Sequence, residues 1–201
     1  LYGFALLALA IGCLQMLLDR GETLGWFENI EITIEAFVAV LAGYMFIAHI
    51  HTHHQPFIEP VLFKDRNFAV GLLFIFIVGV ILLATMALLP PFMQKLMGYP
   101  VVDVGSILAP RGFGTMASMM VVGRLSGKVD PRYFIFMGLA LVTFSMWEMT
   151  QFTLEVTSAD IIRTGVVQGA GLGLVFVPLS TITFATLNPK YRNEGTAMFS
   201  L

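Results

Sequence analysis

Apolar residues in this chain come in long runs separated by short polar stretches. Six segments approach the roughly 20 mostly apolar residues that a helix needs to cross a hydrocarbon core about 30 Å thick. They are 1–18, 31–50, 68–89, 102–122, 133–152 and 161–187, and a seventh begins near 194. The run from Phe68 to Leu89 carries no charged residue, and 31–50 carries only Glu31 and Glu35, at its start. Inside a bilayer no water satisfies the backbone, so such runs must close their hydrogen bonds internally as helices. The two-residue alternation of a membrane barrel is missing. The expectation is an all-α polytopic membrane protein with six spans. The chain starts at Leu1, without Met, and stops at Leu201 inside an apolar stretch. Both ends are therefore expected to be cuts through a longer protein.

Composition agrees with the pattern. Of the 201 residues, 57% are hydrophobic and only 12% charged, about half the charged share of a typical soluble domain. Mean hydropathy is +0.84. The net charge of -2 hides a sorting by location. Seven of the eleven Lys and Arg residues fall in alternate loops: Lys64 and Arg66; Arg124, Lys128 and Arg132; Lys190 and Arg192. The opposite loops hold Arg20, Lys95 and Arg163 beside Asp19, Glu22, Glu28, Asp103, Glu155 and Asp160. Since cytoplasmic loops collect the cations, the first set is expected to face the cytoplasm and the first segment to run outward.

Several chemistries are excluded. No basic-aromatic interleaving suggests nucleic acid. Cys13 is the only cysteine, so no disulfide forms within the chain. Ser/His/Asp, HExxH, CxxC and phosphate-cradling glycine patterns are missing, so neither an enzyme nor a bound cofactor is expected. His49 and His53 share a helix face at i, i+4, a spacing suited to a metal, with His51 and His54 between and beside them. No Cys or carboxylate joins them before Glu59, and the segment meets Pro56, so a solvated interfacial end is expected and no metal site.

Interruptions mark three spans. Pro90 and Pro91 end or kink the third, and Pro110 and Pro178 lie inside the fourth and sixth, where each removes a backbone donor. Gly165, Gly169 and Gly173 form a GxxxGxxxG stripe that lets a neighbouring helix approach closely. It serves either plain packing or helices that slide or bend against their neighbours.

Charged and amide side chains within a span are the candidates for chemistry, because a charge at mid-bilayer costs about 2.5–3.5 kcal/mol on insertion scales. Counting from the outer helix ends at the ~1.5 Å rise per residue puts Arg111 roughly 13 Å deep, Gln168 roughly 10 Å and Glu148 roughly 6 Å. Together they define an expected polar layer in the outer half, responsive to substrate or protons. Snorkelling or structural pairing is the alternative for Arg111 and Glu148.

The loop between the fourth and fifth spans reads Gly123-Arg124-Leu125-Ser126-Gly127-Lys128-Val129-Asp130-Pro131-Arg132. It resembles the G-x-L-x-D-[RK]-x-G-R loop of the major facilitator superfamily in its C-terminal-half copy, departing at Gly127, where the pattern has Asp. Three other stretches are similar to the fourteen-helix drug:proton antiporters of the EmrB/QacA type. These are Leu14–Gly21 followed by Trp26-Phe27, Leu62–Phe68, and Phe176–Thr181. The resemblance implies a partial helical bundle covering about helices seven to twelve and the start of the thirteenth. Residues 1–67 would then be two central linker helices with a cytoplasmic loop, and 68–201 part of the C-terminal bundle. It further implies a multi-pass protein of the bacterial inner membrane that exports small apolar or amphipathic compounds by alternating access, in exchange for protons. A periplasmic adaptor protein is a candidate partner. Export of a metabolite, siderophore or fatty acid, or a non-transporting scaffold or sensor, are the alternatives.

Overall fold

The apolar runs become helices for the reason given above: with no strand partner and no water, the backbone bonds to itself. A computed structural model describes residues 2–52 and 58–200. Its helices are α1 (Tyr2–Arg20), α2 (Ile30–Thr52), α3 (Arg66–Pro91), α4 (Val101–Leu108), α5 (Pro110–Leu125), α6 (Pro131–Met149), α7 (Ser158–Ala185) and α8 (Arg192–Ser200). Four helical stretches, Tyr2–Arg20, Ile30–Thr52, Arg66–Leu96 and Ser158–Ala185, are by length and composition alone able to cross a membrane.

The expected fourth span, 102–122, is two helices rather than one. Pro110 is the first residue of α5, and its missing N–H opens the hydrogen-bond ladder at Ala109. Ala109 keeps helical angles (φ -56, ψ -38), so the bonding is interrupted more than the path of the chain. Pro90 and Pro91 close α3, but the chain goes on coiling through a wider π turn, Phe92–Leu96. Pro178 lies inside α7, which continues unbroken to Ala185.

The chain divides into two compact units, Leu1–Lys64 with Asn188–Ser200, and Asp65–Leu187. In the first, α1 and α2 pack along one another. Gly25 makes their connection with a left-handed φ of 75°, and Arg20 pairs with Glu31 at the turn. In the second, α7 is the central element, lying along α5 and α6 and against part of α3. Val78, Val142, Leu172, Val175 and Leu179 fill the space between α3, α6 and α7. Leu89, Met93, Val104, Ile107 and Ile161 fill a second cluster nearer the ends of α3 and α4. Large apolar side chains such as Phe76, Val102 and Phe136 stand on the surface. A patchwork of this extent is unusual for a soluble monomer and suits contact with lipid tails.

Candidate functional site

Small residues decide how α7 is packed. A Cβ added to Gly169 would run into the carbonyl oxygen of Arg111, and one added to Gly173 into Ser118 Oγ and, at 2.6 Å, the Thr115 carbonyl. Both contacts are with α5. Gly165, the first member of the stripe, sits more loosely, 3.8 Å from Arg111 Cβ. The opposite side of α7 uses Gly171, whose Cβ would lie 2.7 Å from the Gly138 carbonyl of α6. Sequence reading missed this second seam. Its signal was the spacing Gly138, Val142, Ser145 on α6, matched by Gly114, Ser118, Val122 on α5, all of them buried.

Polar groups are threaded into these seams. Gln168 is fully buried, and its Nε2 donates to Thr85 Oγ1 of α3 at 3.0 Å and approaches Met146 Sδ of α6 at 3.9 Å. The Thr85 hydroxyl in turn donates to the Ile81 carbonyl at 2.8 Å. Ser145 Oγ, also buried, donates across to the Thr164 carbonyl at 3.0 Å. Three helices are thus tied by hydrogen bonds whose loss would leave buried groups unsatisfied, at about 1–3 kcal/mol each. Gln168 Oε1 is already in that position, buried with no partner among the described residues.

The expected layer of Arg111, Glu148 and Gln168 is not one cluster. Glu148 Oε1 accepts from Arg163 Nη2 at 2.6 Å, while Gln168 turns to Thr85. Arg111 is half-buried on α5, its backbone against Gly169, and its Nη2 is buried without a hydrogen-bond partner among the described residues. Counting from helix ends gave height in the bilayer but not the face of each helix. Arg163, read as a loop cation, lies in the second turn of α7. With Glu148, Glu155 and Asp160 it lines a recess of about 470 Å3 at the ends of α6 and α7.

In the loop after α5, Gly127 has φ +87°, a conformation that a side chain disfavours. That accounts locally for Gly where the family pattern has Asp. Asp130 caps its own helix, accepting from Arg132 N at 2.9 Å. Arg124, Lys128 and Arg132 are exposed, as is Leu125. A Cβ added at Gly123 would meet nothing within 4 Å among the described residues.

A further junction lies where α3 begins and α7 ends. Asp65 caps α3 through the Asn67 and Phe68 amides at 2.9 and 3.2 Å. The Thr186 hydroxyl donates to its carboxylate, 2.9 and 2.7 Å from the two oxygens, and Asn67 Nδ2 donates to Thr186 at 3.2 Å. The Thr186 bond, helped by the two amides against some desolvation, holds the Asp65 carboxyl below the usual carboxylate range. Of the histidines, His49 packs edge-on to Tyr2 with ring centroids 5.7 Å apart, and His51 Nδ1 lies 2.9 Å from the Ile47 carbonyl. His53 and His54 lie outside the described residues.

A helical bundle with glycine seams, proline-interrupted helices and extensive exposed apolar surface is suited to a bilayer. The chain belongs to the Major Facilitator Superfamily, whose family model matches residues 1–201. It is 30% identical to the multidrug export protein EmrB of Haemophilus influenzae over 199 residues, 98% of this chain and 39% of that protein. Against EmrB of Escherichia coli (strain K12) it is 34% identical over 196 residues, covering 94% and 37%. Against the fatty acid resistance protein FarB of Neisseria gonorrhoeae it is 32% identical over 183 residues, covering 91% and 36%. The chain therefore spans somewhat over a third of the length of these relatives. It is a multi-pass protein of the inner membrane, embedded in the lipid bilayer.

Proposed function

We propose that this chain is the middle portion of a proton-coupled exporter that moves small apolar or amphipathic compounds out of the cytoplasm by alternating access. Arg111 carries the reading most directly. A half-buried guanidinium on an apolar bundle, with one nitrogen buried and unpartnered among the described residues, is costly to keep and supports a pathway rather than a scaffold. The glycine seams along α7 suit the motion: faces without side chains let packed helices shift against each other with little steric resistance. The names of the EmrB relatives support a multidrug range. The name of FarB supports a second reading on the same fold, export of fatty acids.

On this reading the protein is not an enzyme and takes no cofactor, the proton gradient being its energy source. The sorting of loop cations supports a cytoplasmic position for the Arg124–Arg132 segment. A periplasmic adaptor protein is the expected partner, together with the transported compounds. The test is drug accumulation in cells expressing the full-length protein, with and without a protonophore. Accumulation should fall on expression and recover when the gradient collapses. Accumulation that ignores both would overturn the proposal.

A further inference from the structure

Beyond the seams of α7, the second unit carries a groove of about 690 Å3 between the last turns of α3 with the π turn that follows it and the last turns of α6. Its volume is that of a site for one drug-sized molecule. Ala84, Leu88 and Phe92 form one wall, and Met146, Met149 and Phe152 the other. Two threonines also line it, yet neither hydroxyl has a free proton to donate. Thr85 donates to the Ile81 carbonyl and accepts from Gln168. Thr150 donates to the Trp147 carbonyl at 2.7 Å and accepts from Gln151 at 3.1 Å. The buried Gln168 amide thus engages the groove's deeper threonine.

The free side-chain donor among the described lining residues is the Lys95 ammonium. It is exposed in the π turn, lines the groove, and makes no ion pair or side-chain hydrogen bond among the described residues. From Thr85 to Lys95 the chain advances about 15 Å at the helical rise, the reach of a medium-length alkyl chain. Charge sorting places this end of α3 outside.

We infer that the groove between α3 and α6 is a binding site for a single-chain anionic amphiphile, its tail along Leu88, Phe92, Met146 and Met149 and its headgroup on the Lys95 ammonium. The ammonium needs no displacement from a protein partner, and a charge-assisted bond to a carboxylate at the membrane interface is among the stronger single contacts available. An apolar wall with one cation at its mouth selects against cationic amphiphiles, which would face Lys95, and gives neutral ones a weaker headgroup hydrogen bond than it gives a carboxylate. That the bound amphiphile is a transported compound rests on the export reading above; the binding itself does not.

The test uses full-length protein in lipid nanodiscs without a proton gradient, with radiolabelled dodecanoate as probe and dodecanol and dodecyltrimethylammonium as competitors. Lys95→Gln and Lys95→Glu change an exposed, unpaired residue, so fold is retained; Ala84→Trp fills the groove. Dodecanoate affinity should fall about tenfold in Lys95→Gln. It should fall further in Lys95→Glu, where dodecyltrimethylammonium should compete better than on wild type, and binding should be lost in Ala84→Trp. Equal affinity in the wild type and both Lys95 variants overturns the inference. So does indifference to Ala84→Trp, the result expected if another segment of the full-length protein covers the groove. Displacement of dodecanoate by raising the phosphatidylglycerol content of the nanodisc would assign the groove to a two-chain lipid instead. Lys95-dependent binding without gradient-driven export would uphold this site and sink the export reading; export with Lys95-independent binding would do the reverse.

Discussion

Gly138 and Gly171 face each other across the α6–α7 crossing so closely that each carbonyl occupies the space of the other's missing side chain, at 2.6 and 2.7 Å from the ideal Cβ positions. Backbone meets backbone here, and neither can step aside as a flexible side chain would. Gly171→Ala should therefore destabilise the bundle by about 1–3 kcal/mol, the range for overpacking a tight site. Gly79→Ala is the control, because a Cβ there meets nothing within 4 Å. Thermal unfolding of the detergent-purified full-length protein, followed by size-exclusion recovery, separates the two. Equal recovery of both variants would mean that the crossing is looser than described.

The Glu148–Arg163 pair is asymmetric: the Arg163 side chain is 64% exposed and that of Glu148 16%. Removing the cation strands a mostly buried carboxylate, whereas removing the carboxylate returns Arg163 to solvent. Arg163→Ala should therefore cost more stability than Glu148→Gln. The double variant should recover part of the loss, which the coupling energy of a double-mutant cycle reads directly. Additive losses would show that the two act independently.

Asp65 supplies a pH dependence. Its carboxyl titrates below the ordinary value because the charged form is held by Thr186. A group depressed in the folded state contributes stability above its unfolded value, about 3.9, and loses that contribution as pH falls through the folded value. Thr186→Val should thus lower the unfolding temperature at pH 7 and make little difference once Asp65 is protonated in both proteins. A deficit that stays constant down to pH 3 would assign the effect to packing alone.

Orientation is checked by cysteine labelling in a background where Cys13 is replaced. A membrane-impermeant reagent added to intact cells should modify Glu155→Cys and spare Lys128→Cys. The reverse pattern would invert the topology drawn from the loop cations.

Much of the fold was legible because the bilayer leaves few alternatives: a charge-free run such as Phe68–Leu89 has to be a helix. The stripe Gly165, Gly169, Gly173 was legible too, since three glycines at four-residue spacing can only line one face. Gly138 was not, because a single glycine among larger residues signals nothing until Val142 and Ser145 are seen beneath it. The polar residues show the same limit more sharply. Depth along a helix can be counted, which put Arg111, Glu148 and Gln168 at similar heights. Azimuth cannot, and the structure sends Glu148 to Arg163 and Gln168 to Thr85. Pro110 announced an interruption, but only the preserved helical angles of Ala109 show that the path hardly changes.

On the proposed function, this bundle is part of a proton-driven exporter that depends on Arg111. Full-length protein in proteoliposomes with an imposed pH gradient tests it most directly, by the uptake of a fluorescent drug into vesicles that contain inside-out protein. Wild type should accumulate the drug only with the interior acidic. Arg111→Lys should slow uptake measurably, since a point charge cannot reproduce the guanidinium fork. Arg111→Ala should abolish uptake at unchanged protein content. Gradient-independent uptake, or full transport by Arg111→Ala, would contradict the account.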